Sequence, residues 1–152
     1  KIRQLLASGQ VNLARRMLGR PYGVAGRVGR GSERGHKLGF PTANLHPHNR
    51  VIPRNGVYVT GTLIDGQWRR SVTNVGLRPT FADATEPSVE TFVMNWAGDL
   101  YGDVVRVRFL YRLRDERKFS SIEQLTTQIA RDVQRADSYF ERAGTKHMLS
   151  VI

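Results

Sequence analysis

The sequence predicts a mostly β fold, an antiparallel barrel or sandwich packed by one long C-terminal helix. Three observations lead there. Short β-like runs separated by glycine, proline and asparagine fill residues 22 to 111. No helical segments alternate with them, which disfavours a dinucleotide-binding α/β sheet. One amphipathic stripe then follows Phe119.

Ahead of the strands, Ile2, Leu5 and Leu6, a Ser8-Gly9 break, then Val11, Ala14 and Leu18 stand at helical spacing. They predict two short helices leading into Gly19-Arg20-Pro21. The candidate strands are 22–28, 57–64, 68–75, 89–96 and 104–111. Asp65-Gly66 joins the second to the third with the residues of a type I′ turn, which needs positive φ at both central positions. Asn74 to Thr80 contains both glycine and proline and reads as a turn that ends a strand near a site. Beyond Phe119, Ile122, Leu125, Ile129, Val133, Ala136 and Phe140 recur every three or four residues along one helical stripe. Ser120 and Glu123 read as its capping box and Gly144 as its stop.

With 152 residues, of which 39% are hydrophobic, the chain has material for one ordinary core. No run reaches the roughly 18 apolar residues of a membrane span, and no secretory signal opens the chain. The absence of cysteine excludes disulfides, thiolate metal sites and cysteine nucleophiles, and is compatible with a reducing cytoplasm. A formal charge of +11 creates a potential that attracts polyanions, either nucleotides or nucleic acid.

Three groups of residues carry candidate chemistry. Glycines 26, 29, 31, 35 and 39 alternate with Arg27, Arg30, Arg34, His36 and Lys37, a composition suited to cradling phosphate through main-chain N–H groups. The order is not that of a P-loop, and composition alone favours a plain basic hairpin. Thr42 and Asn44 flank a proline-fixed turn and offer neutral oxygens, sufficient for magnesium when ATP phosphates and water supply the remaining ligands. Turn residues of this kind also serve simply to satisfy local backbone groups. Alternation puts Glu90 on one strand face with Phe92, Met94 and Trp96. Partial desolvation there would raise its pKa towards that of a general base, whereas a salt bridge to an arginine is the structural alternative. The four histidines are too loosely spaced to define a metal site.

The order of motifs resembles the riboflavin kinase family over residues 2 to 143. The likeness rests on Gly19-Arg20-Pro21-Tyr22, the spaced Gly26, Gly31 and Gly35, Leu38 to Asn44, Gly56-Val57-Tyr58, Asn74-Val75-Gly76 with Pro79-Thr80, Glu90, Asp99 to Gly102, and Leu113-Arg114 with Glu116 and Phe119. The resemblance implies a Greek-key antiparallel barrel of about six strands, closed or split, with a long C-terminal helix. It implies phosphorylation of riboflavin by MgATP to give FMN and ADP. Glu90 would be the catalytic base, and Thr42 and Asn44 would meet magnesium and phosphate. Gly31, Gly35 and His36 would lie along the ATP phosphates, with Val93, Asn95 and Tyr101 near the nucleotide. Arg114, Arg117 and Phe119 would belong to a flap over the flavin. The family pattern carries Arg or Lys where His36 stands.

Residues 1–18 resemble the linker that follows an adenylyltransferase domain in bacterial bifunctional riboflavin kinase/FAD synthetases. Residues 19–152 would then be the kinase domain, and the opening at Lys1, already within a helical pattern, makes a piece of a longer polypeptide the expectation. A cytoplasmic location and no membrane partner are expected. The alternative is a non-catalytic basic barrel that binds nucleic acid, which accounts for the charge but not for the ordered motifs.

Overall fold

The computed structural model describes residues 1–30, 39–80 and 82–144. The two expected N-terminal helices form as α1 (Ile2–Ala7) and α2 (Val11–Leu18). Gly9 turns the chain between them at φ 81, and Gly19 caps α2 in the left-handed region, its N–H donating to the Arg15 carbonyl at 2.8 Å. Leu6, Val11 and Ala14 are at most 1% exposed and join the cluster that fills the barrel. The helices are therefore packed against the barrel and share its core.

Six antiparallel strands close into a barrel: β1 (Tyr22–Gly29), β2 (Ala43–Pro47), β3 (Gly56–Ile64), β4 (Gln67–Pro79), β5 (Thr85–Val93) and β6 (Val104–Arg114). The neighbour order is β1-β2-β5-β4-β3-β6. Three consecutive strands, β3 to β5, are followed by β6 returning beside β3, which is a Greek key. Asp65 and Gly66 adopt φ values of 51° and 74°, as the two-residue turn requires, and Ile64 pairs with Gln67 across it.

The strand expectations need three corrections. β2 was absent from them, because it is only five residues long and both its partners are distant in sequence. Asn74 to Pro79 is not a turn: β4 runs through it, with Gly76 opposite Ser88 and Pro79 opposite Thr85 at the strand end. β5 starts earlier than expected and stops at Val93, after which Asn95 takes a positive φ of 52°.

Inside the barrel, Val24, Val28, Leu45, Val75, Val89, Val105, Val107 and Phe109 form an apolar cluster with Tyr58. Beside it Thr60, Thr62, Ser71, Thr73 and Thr91 are fully buried and bond to one another, four of the links measuring 2.7–2.8 Å. Each hydroxyl can both donate and accept, so the cluster satisfies itself without charge.

The outer wall of β3, β4 and β6 is covered by α3 (Ile122–Ala143). Ala136 and Phe140 of the helix pack with Val57, Val59, Val72 and Leu110 of the wall. The cap sits one residue later than expected. Ser121 is the N-cap and accepts from the Gln124 N–H at 3.2 Å, while the Gln124 carboxamide oxygen accepts from the Ser120 hydroxyl at 2.9 Å. The sequence offers both spacings, and Gln serves in such a box as well as Glu. Gly144 ends the helix at φ 62 as expected.

Candidate active site

The barrel register sets one row of cross-strand partners on the outer wall. Arg114 of β6 pairs with Val57 of β3, Val57 with Asn74 of β4, Asn74 with Glu90 of β5, Glu90 with Asn44 of β2, and Asn44 with Gly29 of β1. Directly opposed residues share a face, so Glu90 is bracketed by two carboxamides on adjacent strands. Thr91 and Val89, its chain neighbours, point into the barrel and are fully buried. Glu90 thus faces outward with Phe92, as alternation predicted, on the wall beside α3 and not at a barrel mouth.

Over this row lies a cavity of about 560 Å³. Its floor is Val57, Val72, Asn74, Glu90 and Phe92 from the barrel, with Phe40 and Thr42 from the segment entering β2. The roof comes from Arg114 and residues 116–119 together with Leu125, Ile129, Asp132 and Val133 of α3. An apolar slot with a few convergent polar groups suits a flat ring that carries a polar chain. Phe40 meets Phe92 edge to face at 5.5 Å, which closes one side.

Ion pairs hold the roof in place. Arg114 binds Asp132 of α3 through Nε at 3.0 Å and Nη2 at 2.8 Å, and Gln128 donates to the same carboxylate at 3.0 Å. The Phe119 ring lies near two guanidinium groups, Arg114 at 5.8 Å and Arg117 at 5.2 Å. The Glu116 carboxylate rests on Gly76, where a Cβ would overlap it. At the root of the segment, Arg112 donates to Asp115 at 2.7 Å and to the Asn55 carbonyl at 2.6 Å, and its side chain fills the space above Gly9. The hydrogen bond from Arg112, reinforced by its charge, holds the Asp115 carboxyl below the ordinary carboxylate range.

Five of the residues singled out in the sequence line this one cavity: Thr42, Glu90, Arg114, Arg117 and Phe119. Asn44 lies in the same row, 3% exposed, its Nδ2 donating to the Arg30 carbonyl at 3.3 Å while Oδ1 has no hydrogen-bond partner among the described residues. Val93, Asn95 and Tyr101 are not in the lining. Val93 is buried at the end of β5, and Tyr101 is exposed beneath Arg30 at 5.7 Å, at the edge where β1 leads on towards residue 31. Gly31, Gly35 and His36 lie outside the described residues. Among the described residues no cluster of His, Asp and Glu could hold a metal on its own. Sequence reasoning passed over Asn74 as a site residue, along with Asp132 and the first half of the α3 stripe. The one available signal was an acid, Asp132, set within an apolar helical stripe.

Comparison with known proteins places this geometry. The sequence model of the family described as Flavokinase, riboflavin kinase, matches residues 18–140. The chain belongs to the riboflavin kinase family. A bifunctional riboflavin kinase/FMN adenylyltransferase of Pseudomonas fluorescens is 42% identical over 136 residues, covering 90% of this chain and 44% of that protein. The chain thus spans less than half the length of that curated relative. Among solved structures, one titled a macrolide-efflux protein from Streptococcus pneumoniae superposes with a TM-score of 0.84 at 38% identity, over 90% of this chain and 45% of its own. The riboflavin kinase of Trypanosoma brucei superposes with a TM-score of 0.60 at 21% identity, over 86% of this chain and 87% of its own, which supports the family's barrel fold. No helix among the described residues is long and apolar enough to cross a membrane.

Proposed function

We propose that the chain transfers the γ-phosphoryl group of ATP to the terminal ribityl hydroxyl of riboflavin, giving FMN and ADP. The observation that carries this reading is Glu90, set between Asn44 and Asn74 on the floor of a cavity that has an aromatic and aliphatic side and a set of charged groups in its roof. A flavin ring matches the slot between Phe92, Phe119 and the α3 residues, with its ribityl chain directed to Glu90. Glu90 takes the hydroxyl proton as that oxygen bonds to the γ-phosphorus and the bond to the ADP oxygen breaks. Arg114, fixed by Asp132, and Arg117 with Phe119 hold the ring side of the substrate.

The residues present fit a magnesium ion. Asn44 has a buried Oδ1 with no partner among the described residues, and Thr42 lines the cavity. Thr42 and Asn44 would hold the ion, which when bound with ATP supplies positive charge to the phosphoryl oxygens. Tyr101, which lies beneath Arg30, forms the flank assigned to the nucleotide, and the roles of Val93 and Asn95 there rest on the sequence resemblance. The phosphate roles of Gly31, Gly35 and His36 rest on the sequence resemblance.

The bifunctional relatives extend the reading. Residues 1–18 then connect an FMN adenylyltransferase domain to a kinase domain of residues 19–152, and the natural setting is the cytoplasm. Because α1 and α2 share the barrel core, that connection would be a rigid one. Basic residues also lie outside the cavity lining, among them Arg20, Arg106 and Arg108, where burial and then the neighbouring charges lower the Arg108 pKa. Nothing among these three supplies phosphoryl-transfer chemistry. The deciding experiment incubates the chain with riboflavin, ATP and Mg²⁺ and separates the flavins by chromatography. FMN is expected; unchanged riboflavin overturns the proposal.

A further inference from the structure

Asn74 lines the cavity, and its Oδ1 is buried with no hydrogen-bond partner among the described residues. A buried carbonyl oxygen of this kind needs a donor in the working state. Its surroundings on the wall contain none for it. Val57 and Glu90 are its cross-strand partners, and Val72 and Gly76 are its neighbours along the same face of β4. Val57, Val72 and Gly76 have no polar side chain, and Glu90 in the carboxylate form that would take up a proton accepts but cannot donate. The nearest cation in the row, Arg114, is committed to Asp132 and to the Asp115 carbonyl. A donor carried by a ligand in the cavity would satisfy it.

The two carboxamides beside Glu90 divide by their surroundings. Asn44 is tied to the Arg30 carbonyl and so faces the flank assigned to phosphate. Asn74 stands on the opposite side of Glu90, under the roof formed by α3 and Phe119. A phosphate chain offers almost only acceptors, whereas a polyhydroxylated chain offers O–H donors at successive carbons.

We propose that Asn74 is a substrate-positioning residue: its Oδ1 accepts a hydrogen bond from a hydroxyl of the ribityl chain, short of the terminal one, and thereby sets the terminal hydroxyl against Glu90. The inference rests on the riboflavin kinase reading. It makes Asn74 the residue that distinguishes a flavin with a polyol tail from the bare ring.

The test titrates the full chain with two flavins by fluorescence: riboflavin, and lumiflavin, which has the same ring with a methyl group in place of the ribityl chain. Asn74→Leu keeps the branched shape and removes both polar atoms, the acceptor among them. Losing one such bond weakens riboflavin by roughly tenfold, with lumiflavin unchanged. Asn74→Ser, which keeps an oxygen acceptor at shorter reach, recovers part of that loss and provides the readout if the leucine variant unfolds. Equal weakening of both flavins in the folded variants, or no weakening of either, overturns the assignment of Asn74 while the unmutated chain still makes FMN. Failure of the unmutated chain to make FMN or bind riboflavin overturns both this inference and the activity beneath it.

Discussion

Arg114 and Asp132 form a two-point clasp between β6 and α3, with Nε 3.0 Å from Oδ1 and Nη2 2.8 Å from Oδ2. Only 16% of the Arg114 side chain and 4% of the Asp132 side chain is exposed. Removing one partner strands the other charge, and Asp132→Asn is expected to lower stability by about 3 kcal/mol in urea unfolding. The double variant Arg114→Met with Asp132→Leu should recover most of that loss, because apolar replacement of a buried pair is often neutral. Riboflavin affinity should stay low in the double variant, since the roof has lost the Arg114 guanidinium. Recovery of both properties together would mean that Arg114 has no part in binding.

Glu90→Gln leaves the shape of the cavity intact and removes the proton acceptor. Turnover is expected to fall on the order of 10² to 10⁴-fold, with riboflavin and ATP affinities close to those of the unmutated chain. Single-turnover kinetics beside equilibrium titrations would separate the two effects. FMN production near the normal rate would remove Glu90 from the mechanism.

For Thr42 and Asn44 the relevant comparison is between metal conditions. Alanine at either position is expected to weaken ATP binding strongly with Mg²⁺ present and little when the metal is chelated. Calorimetric titration in both buffers measures this directly. Losses of equal size in the two would make these residues simple phosphate or structural contacts.

The Arg112–Asp115 contact gives the root of the roof segment a defined pH dependence. Because the Asp115 pKa is depressed in the folded chain, its stabilising contribution is present above the ordinary carboxylate value and is lost as the pH falls through the folded value. Arg112 stays charged throughout. Thermal unfolding midpoints of the unmutated chain and Asp115→Asn should therefore differ at about pH 5 and converge towards about pH 2. A constant gap across that range would show that the carboxylate charge does not matter there.

Two glycines in the barrel should respond differently to a methyl group. At Gly26 a Cβ would run into the backbone carbonyl of His46 on β2, which cannot move alone, so Gly26→Ala is expected to cost about 1–3 kcal/mol. At Gly76 the Cβ would meet only the end of the Glu116 side chain. Gly76→Ala should barely change the unfolding midpoint yet displace Glu116 from the cavity, which a riboflavin titration would register.

The parts of the fold legible in the sequence were those set by short-range rules. The Asp65-Gly66 hairpin and the stripe of α3 depend on residues a few positions apart, and both formed as expected. β2 was invisible because its pairing partners begin some 15 residues before it and 40 after it. Without β2 the register around Glu90 could not be written, and so Asn74 passed for a turn residue. Alternation found the face that Glu90 shares with Phe92, but only the docking of α3 decides that this face is a covered wall. Asp132 was passed over because its pairing with Arg114 joins a helix to a strand end, a contact that periodicity does not report.

The apolar stripe of α3 serves two tasks at different points along its length. Ala136 and Phe140 are buried against the barrel, whereas Leu125, Ile129 and Val133 line the cavity. Val133 belongs to both groups, since it lines the cavity and also packs against the cluster that Ala136 and Phe140 anchor. Leu125 and Ile129 line the cavity without joining either core cluster, so they can change with less risk to the helix than Asp132, whose pairing with Arg114 lies in the same turns.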